Sequence, residues 1–405
     1  MCIRDRFGFP DWEELLRRLA KQVGASDLET EQRNKTSLAQ QLHQKFKTTE
    51  LQGKADDSPD YFRLLMSVHA GWRAAVHECL YRDVPTEIGE FEKRDSYLFD
   101  LCDIVRDTPL TVTYNFDNTL QRILAARRAE NEKHKRGYTT IWSGNVQLNA
   151  KQGGVIYHPN GYIPKELRDR PSDNFVFRED SFADQLIDSM AGHYATLNAH
   201  FSQTTCLLVG LSLSDPTLKH MLRQHAKSFP GHFHYLVRIN RNDRPRRPEH
   251  LAIESATDFD VFNLITLYLK PEEIKALALL LSVDEESFRV AAEEICGNDA
   301  LTMRFFITGP VSVGKSTVVN HFRSLLTQDE WTEERTKGME KNPEELWPED
   351  EERIDKWVAD QVAKKNNNLL ESSKYGIHVI DRAPLDLFAF AKIEDWSKKA
   401  ARIRD

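Results

Sequence analysis

A strand-like run, Arg304-Phe305-Phe306-Ile307-Thr308, leads without a break into Gly309-Pro310-Val311-Ser312-Val313-Gly314-Lys315-Ser316, and a helical pattern follows. Gly-x-x-x-x-Gly-Lys-Ser between a strand and a helix leaves few choices of fold. Glycines let the backbone turn its N–H groups toward one point, and the following helix aims the positive end of its dipole at the same point. An α/β unit with a phosphate cradle at the strand's C-terminal end is therefore expected. In it Gly309 and Gly314 shape the loop, Lys315 reaches the β- and γ-phosphates, Ser316 ligates Mg²⁺ and Thr317 lies beside it on the first turn. The ligand implied is ATP or another nucleoside triphosphate with Mg²⁺.

A second buried strand, Tyr375-Gly376-Ile377-His378-Val379-Ile380-Asp381, ends in a carboxylate. Asp381 would hold Mg²⁺ or act as a base, and Arg382 would contact phosphate; the plain alternative is a strand end with a capping Asp. Ile380-Asp381-Arg382-Ala383-Pro384-Leu385-Asp386 resembles the matching strand end of nucleoside and nucleotide kinases. Such kinases are longer than the stretch from 299 to 405, so this domain is expected to be cut short at its C-terminus.

Ahead of it, strands and helices alternate. Leu110-Thr111-Val112-Thr113-Tyr114, Gly154-Val155-Ile156-Tyr157-His158, Thr204 to Gly210 and His234 to Ile239 read as strands. Helices are expected near 118–128 and 182–201. A further helix opens at Asp215-Pro216, where Asp caps the first amides and Pro suits the first turn. Leu15, Leu16 and Leu19 mark an amphipathic helix after Pro10-Asp11-Trp12, residues 28–105 read as mostly helical, and the charged stretch 329–367 reads as an exposed helix. The fold expected is α/β: a Rossmann-like, mainly parallel sheet with helical insertions over 7–295, followed by the first part of a P-loop α/β domain over 299–405.

Three strand ends carry polar residues, and such ends line the ligand crevice of open α/β sheets. The first is Thr113-Tyr114-Asn115-Phe116-Asp117-Asn118. The second is His158-Pro159-Asn160-Gly161-Tyr162, and the third is Gly210-Leu211-Ser212-Leu213-Ser214-Asp215-Pro216. Asn115 and Asp117 can bond a nicotinamide, a ribose or a water, or simply form a turn and cap. Gly161, Gly210, Ser212 and Asp215 can let the chain approach a dinucleotide and bond its ribose or phosphate. In order and spacing the three segments resemble the sirtuin-like NAD-cleaving domains of prokaryotic defence proteins, over roughly residues 7–295. The resemblance implies NAD as the ligand, release of nicotinamide, and depletion of NAD during phage infection.

The resemblance has departures. The family places its catalytic histidine directly before the glycine, where this chain has Asn160; His158 lies two residues earlier, on the same side of the strand, and either supplies a catalytic imidazole to the same pocket at a shifted depth or simply packs in the strand. Asn160 exchanges hydrogen bonds but is no base near pH 7. The family opens with a strand and a Gly-Ala-Gly loop ahead of a Phe-Pro-x-Trp segment; Phe9-Pro10-Asp11-Trp12 is present, the glycine loop is not, and residues 1–6 read as a non-native leader. Deacetylating sirtuins carry a four-cysteine zinc module. The five cysteines here, Cys2, Cys79, Cys102, Cys206 and Cys296, form no Cys-x-x-Cys pair. That favours NAD hydrolysis or sensing over deacylation. The readings left open are an NAD glycohydrolase governed by a nucleotide-binding module, a nucleoside or nucleotide kinase with an NAD-binding appendage, and a non-catalytic NAD sensor.

Composition narrows the partners. A net charge of −8 argues against a nucleic-acid coat, and the basic clusters at 127–136 and 241–247 read as solvated surface. No signal peptide or membrane-spanning run is evident, so a cytoplasmic protein is expected. The partners are then NAD and a nucleoside triphosphate, with a homo-oligomer allowed and no membrane.

Overall fold

A computed structural model describes the chain outside residues 1–7, 27–33, 53–59, 95–96, 107, 131–136, 143–153, 167–170, 174, 193, 212, 214, 240–246, 297–301, 311, 323–324, 332, 342–344, 372–375, 384, 390–394 and 405. Two compact units divide it: residues 1–202, 206–225 and 235–282 form one, and residues 203–205, 226–234 and 283–405 the other.

Up to residue 282 the elements are α1 (Trp12–Gln22), α2 (Lys35–Leu51), α3 (Tyr61–Tyr81), α4 (Ile88–Arg94), α5 (Tyr97–Arg106), β1 (Leu110–Val112), α6 (Thr119–Glu130), β2 (Tyr138–Ile141), β3 (Gly154–Tyr157), α7 (Glu179–Met190), α8 (Ala195–Gln203), β4 (Leu207–Val209), α9 (Pro216–Ser228), β5 (His234–Ile239), α10 (Pro248–Phe262), β6 (Leu264–Leu269) and α11 (Pro271–Ser282). After it come α12 (Glu285–Cys296), β7 (Thr302–Ile307), α13 (Lys315–His321), β8 (Leu326–Gln328), α14 (Pro348–Glu371), β9 (Gly376–Asp381), α15 (Asp386–Ala389) and α16 (Trp396–Arg404).

Among the described residues the strands form three-stranded sheets in the orders β1-β3-β2, β4-β5-β6 and β7-β9-β8. β3 runs parallel to both its neighbours, pairing Val155 with Leu110 and Gly154 with Tyr138. β4 runs parallel to β5, and β9 parallel to β7 and β8. Parallel pairing with helices between strands is the mixed α/β arrangement expected, divided into small sheets. Central β3, Gly-Val-Ile-Tyr, is buried at every position, as an apolar run between two parallel neighbours must be. Gly154 is required there: a Cβ would lie 2.9 Å from the Tyr138 ring and 3.2 Å from the Thr108 carbonyl.

The helical layer explains itself locally. Asp11 caps α1 by accepting from the Glu14 amide at 2.7 Å, and Leu15, Leu16 and Leu19 at helical spacing are buried. They join Leu38, Leu42, Trp72, Val76 and Phe177 in one core; Tyr157, Leu208, Leu222 and Leu236 anchor a second.

Some elements depart from expectation. The single helix over 182–201 is two, α7 and α8, because the chain turns through Gly192 at φ +88°. The helix over 329–367 begins only at Pro348, which suits a first helical position, and Glu349, Asp350 and Glu351 favour an N-terminus there. It is not wholly exposed, since Ala359, Gln361, Lys365 and Leu369 are buried. β2, β6 and β8 were not evident from sequence; short strands carry little local signal, and pairing with a neighbour decides them. No helix among the described residues is long and apolar enough to cross a membrane.

Candidate functional site

The chain leaving β1 and the chain leaving β3 run side by side. The Thr113 amide donates to the Tyr157 carbonyl at 2.9 Å, and the Ile163 amide to the Phe116 carbonyl at 2.7 Å. Between them lies His158, fully buried. Its Nδ1 is 2.7 Å from the Asn115 carbonyl oxygen, which can only accept, so Nδ1 carries the proton. Nε2 is then a lone pair and accepts from the Gln121 amide nitrogen at 2.7 Å. Burial pushes the imidazole down to about 4, against smaller upward effects of the Asn115 bond and Asp117, so the ring is neutral at pH 7. Tyr162 meets it edge-on at 4.9 Å and stacks on Trp142. His158 thus grips the backbone of Asn115, and both its ring nitrogens are engaged.

The Asn115 side-chain amide has no hydrogen-bond partner among the described residues; its backbone amide donates to the Thr113 hydroxyl at 3.3 Å. Asp117 is buried and accepts from the Thr119 amide at 3.0 Å, which caps α6. Beside it, the Asn118 side-chain oxygen accepts from the Lys165 amide at 3.1 Å.

The turn after β3 is tight: Gly161 sits at φ +100° and donates to the His158 carbonyl at 3.1 Å. Asn160 is buried, and its Oδ1 accepts from Gln185 of α7 at 3.0 Å. Gln185 also donates to the Pro159 carbonyl at 3.0 Å and accepts from the Thr217 hydroxyl of α9 at 3.1 Å. Asp215 caps α9 as expected, accepting from the Leu218 amide at 2.8 Å. Gly210 turns at φ +68° after β4 and donates to the Val237 carbonyl at 3.3 Å. Ser212 lies outside the described residues. The Tyr114 hydroxyl is buried with no hydrogen bond among the described residues; burial and the nearby Asp215, Tyr194 and Tyr157 hold it well above the usual phenol range.

The structure therefore brings Asn115, Asp117 and His158 together at the ends of β1 and β3. Gln185 links Asn160 to the start of α9, where Asp215 lies. Gln121, Gln185, Thr217 and Tyr114 escaped the sequence reading. Only Tyr114, inside the first polar segment, had a signal that pointed to it.

In the second unit, Gly309 (φ +150°), Ser312 (φ +64°) and Gly314 (φ +88°) bend the loop between β7 and α13. Gly314 precedes α13, and Lys315 is buried with its amine 2.8 Å from the Pro310 carbonyl. The Ser316 hydroxyl donates to Asp381 Oδ2 at 2.7 Å, while Asp381 is fully buried and its Oδ1 has no hydrogen-bond partner among the described residues. β7 and β9 pair Ile307 with Asp381, which explains why the loop and the carboxylate meet. Thr317 is exposed on the first turn of α13.

Arg382 adopts φ +68° and pairs with Glu330, which follows β8. Buried Lys365 of α14 donates to the Asp329 carbonyl at 2.9 Å and to the Asp381 carbonyl. Burial lowers its amine, opposed by Asp381, Glu330 and Asp329. Neither Lys365 nor Glu330 had a spacing signal; the fold alone collects them. Of the basic clusters, most residues lie outside the described ones.

Residues 109–257 match the family model of the SIR2-like domain, a description associated with NAD. No curated protein matches the chain.

Proposed function

We propose that the SIR2-like region binds NAD and releases nicotinamide from it. The observation that carries this reading is the Asn115 carboxamide: partnerless among the described residues, at a strand end, with its own backbone carbonyl locked by a buried neutral imidazole. A preorganised amide in a crevice stabilises charge at low reorganisation cost. In the reaction the bond between the ribose C1′ and the nicotinamide nitrogen breaks and its electron pair leaves with nicotinamide. Water adds to C1′ and one proton is released.

His158 acts here as a positioning residue. Its Nδ1–H holds Asn115, and its Nε2 lone pair is taken by Gln121, so it is not free to accept a proton from water. None is required early: water adding to an oxocarbenium-like carbon loses its proton after, not before, attack. Asn115 bonds the nicotinamide amide or the water, Asp117 holds the first turn of α6 rigid behind it, and Asn160, Gly161, Gly210 and Asp215 form the rest of the crevice. Asn115→Ala should lower nicotinamide release by about 10²–10³-fold with an unchanged melting temperature. Release equal to that of the unsubstituted protein would remove Asn115 from the mechanism. By family likeness we assign the activity to defence against phage, where loss of NAD stops growth; growth arrest on expression that persists in Asn115→Ala would count against that.

A second reading concerns the region from 299 onward, and the orphaned Asp381 Oδ1 favours it. A buried carboxylate oxygen without a partner, beside a serine hydroxyl, is a hard-oxygen pair suited to Mg²⁺. Ser316 and Asp381 would hold the ion, which would neutralise phosphate charge, while Gly309, Gly314, Lys315, Thr317 and Arg382 contact a nucleoside triphosphate. We infer that this P-loop module binds ATP or a related nucleotide and regulates NAD cleavage. Calorimetric titration with MgATP tests it, and absence of binding would refute it.

A further inference from the structure

Gln185, far from every polar strand end in sequence, sits at the centre of a buried hydrogen-bond cluster whose polarity can be read atom by atom. A backbone carbonyl only accepts, so the Gln185 atom 3.0 Å from the Pro159 oxygen must be the amide nitrogen. The same nitrogen lies 3.0 Å from Asn160, and its second hydrogen needs an acceptor, so the Asn160 atom facing it must be Oδ1. Gln185 Oε1 in turn accepts from the Thr217 hydroxyl at 3.1 Å. Gln185 is thereby fully satisfied and buried, which leaves it one orientation.

One atom remains. With Oδ1 engaged, the Asn160 side chain can offer a ligand only its Nδ2 hydrogens, and Nδ2 has no partner among the described residues. We propose that Gln185 is a positioning residue that sets the polarity of Asn160, so that the turn after β3 presents a hydrogen-bond donor, and never an acceptor, to the bound dinucleotide. The chemistry this selects is an acceptor oxygen on the ligand, such as a ribose hydroxyl oxygen, a carboxamide oxygen or a phosphate oxygen. Through Thr217 the same residue ties that donor to the first turn of α9, so the ends of β3 and β4 are set together. This inference rests on the NAD reading above and adds a specificity determinant to it.

Gln185→Glu keeps the shape and removes the donor. An ionised Glu at 185 would draw the Asn160 amide hydrogens to itself and turn Oδ1 toward the ligand. Protonation restores one O–H donor and the original polarity. Position 185 is buried, and burial raises the pKa of such a Glu, while Tyr157 and Tyr194 stay neutral. The measurement is steady-state nicotinamide release from the full chain at pH 8 and pH 6. The KM of Gln185→Glu for NAD should be about tenfold above that of the unsubstituted protein at pH 8, with kcat changed much less, and should fall back toward it at pH 6. The unsubstituted protein should change little over this range. An unaltered KM at pH 8, or a rise of the same size at both pH values, overturns the inference.

Asn160→Asp is the second variant, in case the first does not fold. Its carboxylate still accepts from Gln185 but shows an acceptor to the ligand, and a KM within twofold of the unsubstituted value would equally overturn the proposal. If the unsubstituted protein neither binds nor cleaves NAD, the NAD reading fails and takes this inference with it. Activity with an indifferent Gln185→Glu sinks the inference alone.

Discussion

Replacing His158 with glutamine removes a titrating group from the point where the ends of β1 and β3 meet. His158 is fully buried and its imidazole is pushed down to about 4 in the folded chain, from an ordinary value of 6.5. Between those values the unfolded chain binds a proton that the folded chain refuses. The contribution to stability is therefore complete above pH 6.5 and is lost as pH falls toward 4. Between pH 7.5 and 4.5 the loss from this one group is about 2.5 kcal/mol, close to a seventyfold change in opening equilibrium.

His43, also pushed down to about 4 by burial and Arg178, behaves likewise, so the total slope of the protein cannot isolate His158. The difference between the unsubstituted protein and His158→Gln can, because His43 is common to both. The assay is amide hydrogen exchange of peptides covering 154–164, corrected for intrinsic rates, across that pH range. This reports opening of the first unit and not of the whole chain. The advantage of the unsubstituted protein over His158→Gln should shrink by about 2.5 kcal/mol on acidification. Two curves that stay parallel would mean that His158 is not held neutral, and the argument that both its nitrogens are engaged would fail.

Two further outcomes follow from the same geometry. Gly154→Ala should destabilise the first unit by about 1–3 kcal/mol in urea unfolding, because the added carbon meets the Tyr138 ring, whose hydroxyl is tied to the Arg106 carbonyl at 3.2 Å; unchanged stability would show that the ring yields. Lys315→Ala should weaken MgATP binding by about tenfold or more, the worth of a charge-assisted hydrogen bond, and calorimetry showing equal affinity would remove Lys315 from the phosphate cradle.

Much of the local structure was legible in the residues. The run 234–239 carries Tyr235, Leu236, Val237 and Ile239, residues that suit a pleated, half-buried surface, and is a strand over those residues. Asp11 and Asp215 announce helix starts by chemistry that acts within a few residues, and both cap as their position implies. Gly192 shows the limit of such reading: the apolar pattern runs through it, and only the backbone's left-handed turn there divides α7 from α8.

The site separates in the same way. Sequence alone selected the polar strand ends, the glycine turns and the stretch from Gly309 to Ser316, since each is a signal carried by neighbouring residues. It could not say that His158 spends both nitrogens on Asn115 and Gln121, that Gln185 reaches Asn160 and Thr217, or that Lys365 meets the ends of β8 and β9. Those partners lie 16 to 43 residues apart. Hydrogen-bond polarity and the cost of burying charge depend on who is adjacent after folding, and no periodicity along the chain encodes that. Residue chemistry determined what the strand ends can offer; tertiary packing decided which of those atoms remain free to use.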